Sequence, residues 1–143
     1  IPDVPAGPLG AEAAALGQAK KALLFAAGIA IQRFADGIRD EQEVLMHLSN
    51  MVIDVYAMDT AIARLRKRGS TGIHIDVART FINDAVSRLE FSGRQILAAA
   101  SDGDTLRIQL SALRRLFRWV PIDTVRARRR IADFLIDRNR YAF

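Results

Sequence analysis

The chain has no cysteine, so disulfides, thiolate ligands and cysteine nucleophiles are all excluded, and its redox compartment stays open. Aromatics are scarce. A single tryptophan, Trp119, is the one candidate for an exposed aromatic, which leaves no stacking platform of the kind that single-stranded nucleic acid requires. Three of the four prolines fall in the opening IPDVPAGPLG, so helices beyond it run almost uninterrupted. No window alternates polar and apolar residues over a β-branched run, which argues against strands. Nor is there a long hydrophobic run: Ala22 to Ile31, ten residues, is the longest, about half of what a membrane-spanning helix needs. No signal peptide precedes it. The expectation is a cytoplasmic protein with no membrane association.

What is present is helix. At 143 residues the chain suits one domain. We expect residues 1–10 to be a linker and residues 11–143 to be a single helical bundle. The start at Ile1 and the proline-rich opening suggest a fragment of a larger protein. Helix one is expected from about Glu12 to Phe34, with Leu16, Leu23, Ala27, Ile31, Phe34 and Ile38 near one face. Small residues around Ala26, Gly28 and Ala30 would let another helix approach closely.

Helix two carries the cleanest pattern, Val44, Leu48, Met51, Val55, Met58, Ile62 and Leu65, a strict alternation of four and three that holds one seam toward a partner. Asp40 is expected to cap it, with Glu43 reaching back. Running to Arg68, it would be about 43 Å long. GSTG (69–72) stops it. Helix three continues the alternation through Ile75, Ala78, Ile82, Ala85, Leu89, Ser92, Ile96 and Ala99. Helix four, capped at Asp104, sets Leu106, Leu110, Leu113, Phe117 and Val120 against Arg107, Arg114 and Arg118, and is expected to end at Pro121. Helix five, capped by Asp123, offers Val125, Ile131, Phe134 and Leu135. The fold class expected is all-α: an antiparallel bundle of three long helices and two shorter C-terminal ones.

No catalytic, cofactor-binding or metal-binding residue is assigned. His47 and His74 sit in different elements without a ligand spacing, and the glycines match neither GxGxxG nor GxxxxGKS. Asp40, Glu41 and Glu43 lie where a helix start favours negative charge. Ser49, Ser70 and Thr71 have no base arranged nearby. Met51 and Met58 read as core filler. Asp54, Tyr56 and Asp59 stand out because neither aspartate has a cation three or four residues away on its own helix. Pairing helices one and two about a turn near Ile38 brings Lys20 and Lys21 beside Asp54 to Asp59, so cross-helix ion pairs are expected.

The net charge of +5 is uneven. Residues 1–100 carry 11 basic and 11 acidic side chains, whereas residues 101–143 carry 10 and 5. Arg114, Arg115, Arg118, Arg126, Arg128, Arg129 and Arg130 form the excess, read as a solvated face rather than a nucleic-acid footprint.

The spelling adds what periodicity cannot. KKALLFAAGIAIQRF, then DEQEVLMHLSNMVIDVYAM and ARLRK, resembles the C-terminal extension of very-long-chain-type acyl-CoA dehydrogenases, and PIDTVRARRRIADFLIDRNRYAF is similar to the tail of the bacterial members. The resemblance implies a non-catalytic helical domain that packs on the catalytic core of the same polypeptide and supports a homo-oligomer. FAD, the acyl-CoA thioester and the glutamate base of an EGT-type motif belong to that core, which passes electrons to an electron-transferring flavoprotein. None of Glu12, Glu41, Glu43 and Glu90 is followed by Gly-Thr, so no catalytic residue transfers to this chain. It is expected to bind no cofactor and to be no enzyme alone. The alternative is an independent helical module whose basic last third contacts an acidic partner, RNA or anionic lipid.

Overall fold

The computed structural model describes residues 7–69 and 72–141. Five helices follow one another: α1 (Gly10–Phe34), α2 (Gln42–Arg68), α3 (Ile73–Ala100), α4 (Gly103–Leu116) and α5 (Thr124–Arg138), with a 3-10 turn over Ala35–Asp40 between the first two. There is no strand among the described residues. The expected all-α bundle of three long and two shorter helices is what forms.

The cross-helix pairs give the direction of packing. Lys20 in the first half of α1 meets Asp59 in the second half of α2, across the short turn that joins them, and on α2 and α3 His47 faces Ser92 while Asp54 faces Arg88. Both neighbouring pairs are therefore antiparallel. The C-terminal third runs back along α3: Leu113 lies against Gly93, Trp119 against Asn83, and Arg130 against Asp76. Touching all four other helices, α3 is the spine of the molecule.

That position explains why α3 buries twelve residues over more than one face, from Ala78 to Ala100, including Ile82, Leu89, Ile96 and Leu97. The heptad seam of α2 is buried as its spacing predicts, with Val44, Met51, Val55, Met58, Ile62 and Leu65 inside and Leu48 partly so. Each fully buried large side chain removes enough apolar surface to stabilise by about 1.5 to 3 kcal/mol.

On α1 the buried face differs from the expected one. Leu16, Ala19, Ala22, Ala26 and Ala30 point inward, while Ile31 is exposed and Leu24 is 73% exposed. Beyond Leu16 the buried face of α1 is made of one-carbon side chains, which let α2 and α3 approach closely, and Leu23, Phe25 and Ile29 are only partly buried beside it. Gly28 takes no part in this approach, since a Cβ there would meet nothing within 4 Å. The same apolar composition makes residues 10–40 long and apolar enough to pass for a membrane-crossing segment, although the run of uninterrupted apolar residues is short.

Several helix ends also differ from expectation. Ala35, at φ 46, ends α1 in a backbone region that disfavours side chains, and the chain tightens into the 3-10 turn that contains Asp40. Asp40 therefore does not cap α2: its N-cap residue is Glu41, and no side chain caps it. Likewise α4 starts at Gly103 after Asp102, which places Asp104 inside the first turn. That helix stops at Leu116, well before Pro121, which leaves Val120 exposed rather than on the inner side. Val125 of α5 is exposed too, and Ala127 is the one residue that helix buries. Asp123 caps α5 as expected, accepting a 2.9 Å hydrogen bond from the Arg126 amide. Ser70 and Thr71 lie outside the described residues.

Candidate interaction surface

The polar groups with the most potential for chemistry are used to hold helices together. Asp54, buried on α2, accepts from Arg88 of α3 at 2.6 Å through Nη2 and at 3.1 and 3.2 Å through Nε. This is the bidentate fork that guanidinium geometry favours. Lys20 takes Asp59 at 3.2 Å on the exposed α1–α2 seam, one of the pairs foreseen by the helical register; Asp54 instead finds its cation 34 residues along the chain. Tyr56 points outward. His47 lies 3.4 Å from the Ser92 hydroxyl and edge-on to Phe91, a contact that seats the imidazole on α3. Among the described residues no carboxylate is hydrogen-bonded to His47 to complete a catalytic triad. Among the described residues no group of three metal-ligating side chains occurs.

The basic third is partly neutralised from within. Arg130 donates two hydrogen bonds of 2.8 Å to Asp76, and Arg128 pairs with Asp84, so ion pairs strap α5 to α3 beside its buried Ala127 and partly buried Ile131, Phe134 and Leu135. The Asp76 carboxyl is held below its usual range, first by the Arg130 hydrogen bond and further by the charges of Arg130 and Arg79, against a desolvation that opposes them. Arg126 lies 3.9 Å from the capping Asp123. Arg114, Arg115, Arg118 and Arg129 have no ion pair among the described residues and keep a smaller basic surface.

Two features escaped the sequence reading. The first is Asn83, buried on α3, whose Oδ1 accepts from the Trp119 indole at 2.9 Å and from the Ile122 amide at 3.1 Å. One side chain thereby fixes the irregular stretch between α4 and α5. The second is a groove of about 730 Å³ between the first turns of α1, the middle of α3 and residues 115–122. Its walls are mostly apolar, including Ala15, Val86, Phe117 and Trp119, while Arg115 and Arg118 also line it. Glu12, only 3% exposed, lines it as well. Its Oε1 accepts from Arg79 Nε at 2.9 Å; among the described residues its Oε2 has no partner, and neither has Oε1 of Gln18, which also lines the groove. Arg79 also donates to the Pro8 carbonyl at 2.7 Å, which pins the entry of the chain to this end of the bundle.

Comparison with known proteins places this geometry. The family model described as "Acyl-CoA dehydrogenase, C-terminal domain" matches residues 18–115. A probable acyl-CoA dehydrogenase of Bacillus subtilis (strain 168) is 36% identical over 130 residues, covering 87% of this chain and 22% of the relative. A crystal structure of an acyl-CoA dehydrogenase complexed with FAD from Bacillus anthracis superposes with a TM-score of 0.95 at 30% identity, over 100% of this chain and 25% of that one. The chain thus spans between a fifth and a quarter of these relatives. It belongs to the acyl-CoA dehydrogenase C-terminal domain family.

Proposed function

We propose that this chain is the C-terminal helical domain of a very-long-chain-type, FAD-dependent acyl-CoA dehydrogenase, that it packs on the catalytic core of the same polypeptide, and that it supports a homodimer without contributing a catalytic residue. The observation that carries the reading is the match of the whole chain to one quarter of an FAD-complexed acyl-CoA dehydrogenase. Its polar chemistry points the same way, since Asp54, Arg88, Asp59, Lys20, Asp76 and Arg130 are all engaged in joining helices.

The residues present do not fit FAD. The sequence has no glycine-rich phosphate cradle, and beside the cations Arg115 and Arg118 the groove buries two acceptor oxygens, on Glu12 and Gln18, that would oppose a pyrophosphate. Flavin binding and proton abstraction are therefore assigned to the remaining part of the polypeptide. The alternative, an independent module with a basic docking face, is weakened by Arg128 and Arg130, which are already paired with Asp84 and Asp76.

The test is direct. Purified Ile1 to Phe143 should be colourless and should reduce no dye with acyl-CoA, whereas the longer polypeptide should carry flavin and do both. Stoichiometric visible flavin absorbance or turnover in the short chain would contradict the proposal.

A further inference from the structure

We infer that the groove between α1, α3 and residues 115–122 receives a segment of the remaining part of the same polypeptide, one that presents an apolar side chain, an N–H donor beside it and a flanking carboxylate. The inference rests on the reading that this domain packs on its own catalytic core.

Three observations define the occupant. The walls around Ala15, Val86 and Trp119 are apolar, and Val120 beside them is 83% exposed, so the space favours an apolar side chain. Glu12 Oε2 and Gln18 Oε1 are almost closed off from solvent and accept nothing from the described residues. A buried acceptor left unpaired is costly, and the terminal torsion of a glutamate is soft, so a small turn offers Oε2 to a donor in the groove. A backbone N–H next to the apolar side chain meets that need. Finally, Arg115 and Arg118 line the groove without ion pairs among the described residues, which calls for a carboxylate on the incoming segment.

Two further considerations select the same polypeptide over other sources. Relatives place this domain in chains about four times its length, and a tethered segment acts at a high effective concentration. A second copy of the domain is the poorer match, because Asp76 and Asp84 of its spine are already paired with Arg130 and Arg128.

The experiment uses the full polypeptide, with a photo-crosslinking residue at Ala11 or at Val120, both exposed positions lining the groove. The expected product is an intrachain cross-link to an apolar residue flanked by Asp or Glu outside this domain. No cross-link, or one to a second copy of this domain, would overturn the inference. In parallel, a protease site placed between catalytic core and domain lets retention after cleavage be measured. The combination Ala11→Trp, Arg115→Glu and Arg118→Glu should weaken retention about tenfold or more while the helical melt of the domain is unchanged. Retention equal to wild type in this variant would reject the groove while leaving interdomain packing intact. Release of the wild-type domain on cleavage would defeat the packing reading itself.

Discussion

The two parts of this domain are held by different physics. In the three-helix part, α1 to α3, stability comes from a continuous apolar seam, with Met51, Met58, Ile82, Leu89 and Ile96 fully enclosed and an alanine face that lets the helices close on one another. In the C-terminal part, α4 and α5 each fully bury a single residue, Leu113 and Ala127; Leu106, Leu110, Leu116, Phe117 and Trp119 pack on the core only partly, and Asn83, Asp76 and Asp84 of α3 add polar attachment. An apolar seam fails all at once, because its energy is shared among many contacts. Polar latches fail one at a time, and exposed ones are each worth little. The C-terminal part is therefore the region able to loosen without unfolding the domain.

The sharpest way to break this contrast is a charge in the seam. Met58→Asp and Val55→Asp should each abolish cooperative melting, since an unpaired buried charge costs several kcal/mol against a total of about 5 to 15. Val120→Asp, in the exposed stretch, should leave the melt within about 0.5 kcal/mol of wild type. The close contact between the two parts comes next. A Cβ at Gly93 would lie 3.1 Å from Leu113 Cδ2, so Gly93→Val should cost about 1 to 3 kcal/mol, and part of the loss should return in the double variant with Leu113→Ala.

Asn83→Ala should cost about 1 to 3 kcal/mol by stranding the Trp119 and Ile122 donors. Because Trp119 is the sole tryptophan, a red-shifted fluorescence with unchanged far-ultraviolet helicity would show that only the latch had opened. For Arg130→Ala the effect should depend on pH. Asp76 has its folded-state pKa lowered, so the pair's contribution is present above about pH 4 and is lost as pH falls through the folded value. The melting difference between wild type and variant should accordingly shrink below that pH and be steady above it. The smallest effects concern caps. Asp123→Ala should cost about 1 kcal/mol, whereas Asp40→Ala, which makes no cap, should fall within about 0.5 kcal/mol of wild type.

Much of the seam was legible in the sequence because α2 repeats its large apolar residues at a spacing with one solution. The Lys20–Asp59 pair was legible for the same reason, through helical register. The face of α1 was not. Ranking residues by hydrophobicity favours Leu23 and Ile31, whereas close packing of three helices favours Ala22, Ala26 and Ala30, a choice made by geometry between helices rather than within one. The latches were hidden for a related reason: Asn83 meets Trp119 36 residues away, Arg128 meets Asp84 44 residues away, and neither separation leaves a local pattern. Helix ends followed the same rule. Asp123 caps within three residues and was visible, while the 3-10 turn that displaces Asp40 depends on how Ala35 ends the preceding helix.

The family came from spelling, not periodicity, since nothing in the pattern of an all-helical bundle names an acyl-CoA dehydrogenase domain. The role proposed for this domain is to assemble the protein rather than to perform its chemistry. The most direct measurement compares the full polypeptide with one lacking these residues by analytical ultracentrifugation, with flavin content read on the same samples. We predict that the full polypeptide is a homodimer, and that the dimer is lost or greatly weakened without the domain while the remaining part binds flavin; an unchanged dimer after removal of the domain would contradict the proposal.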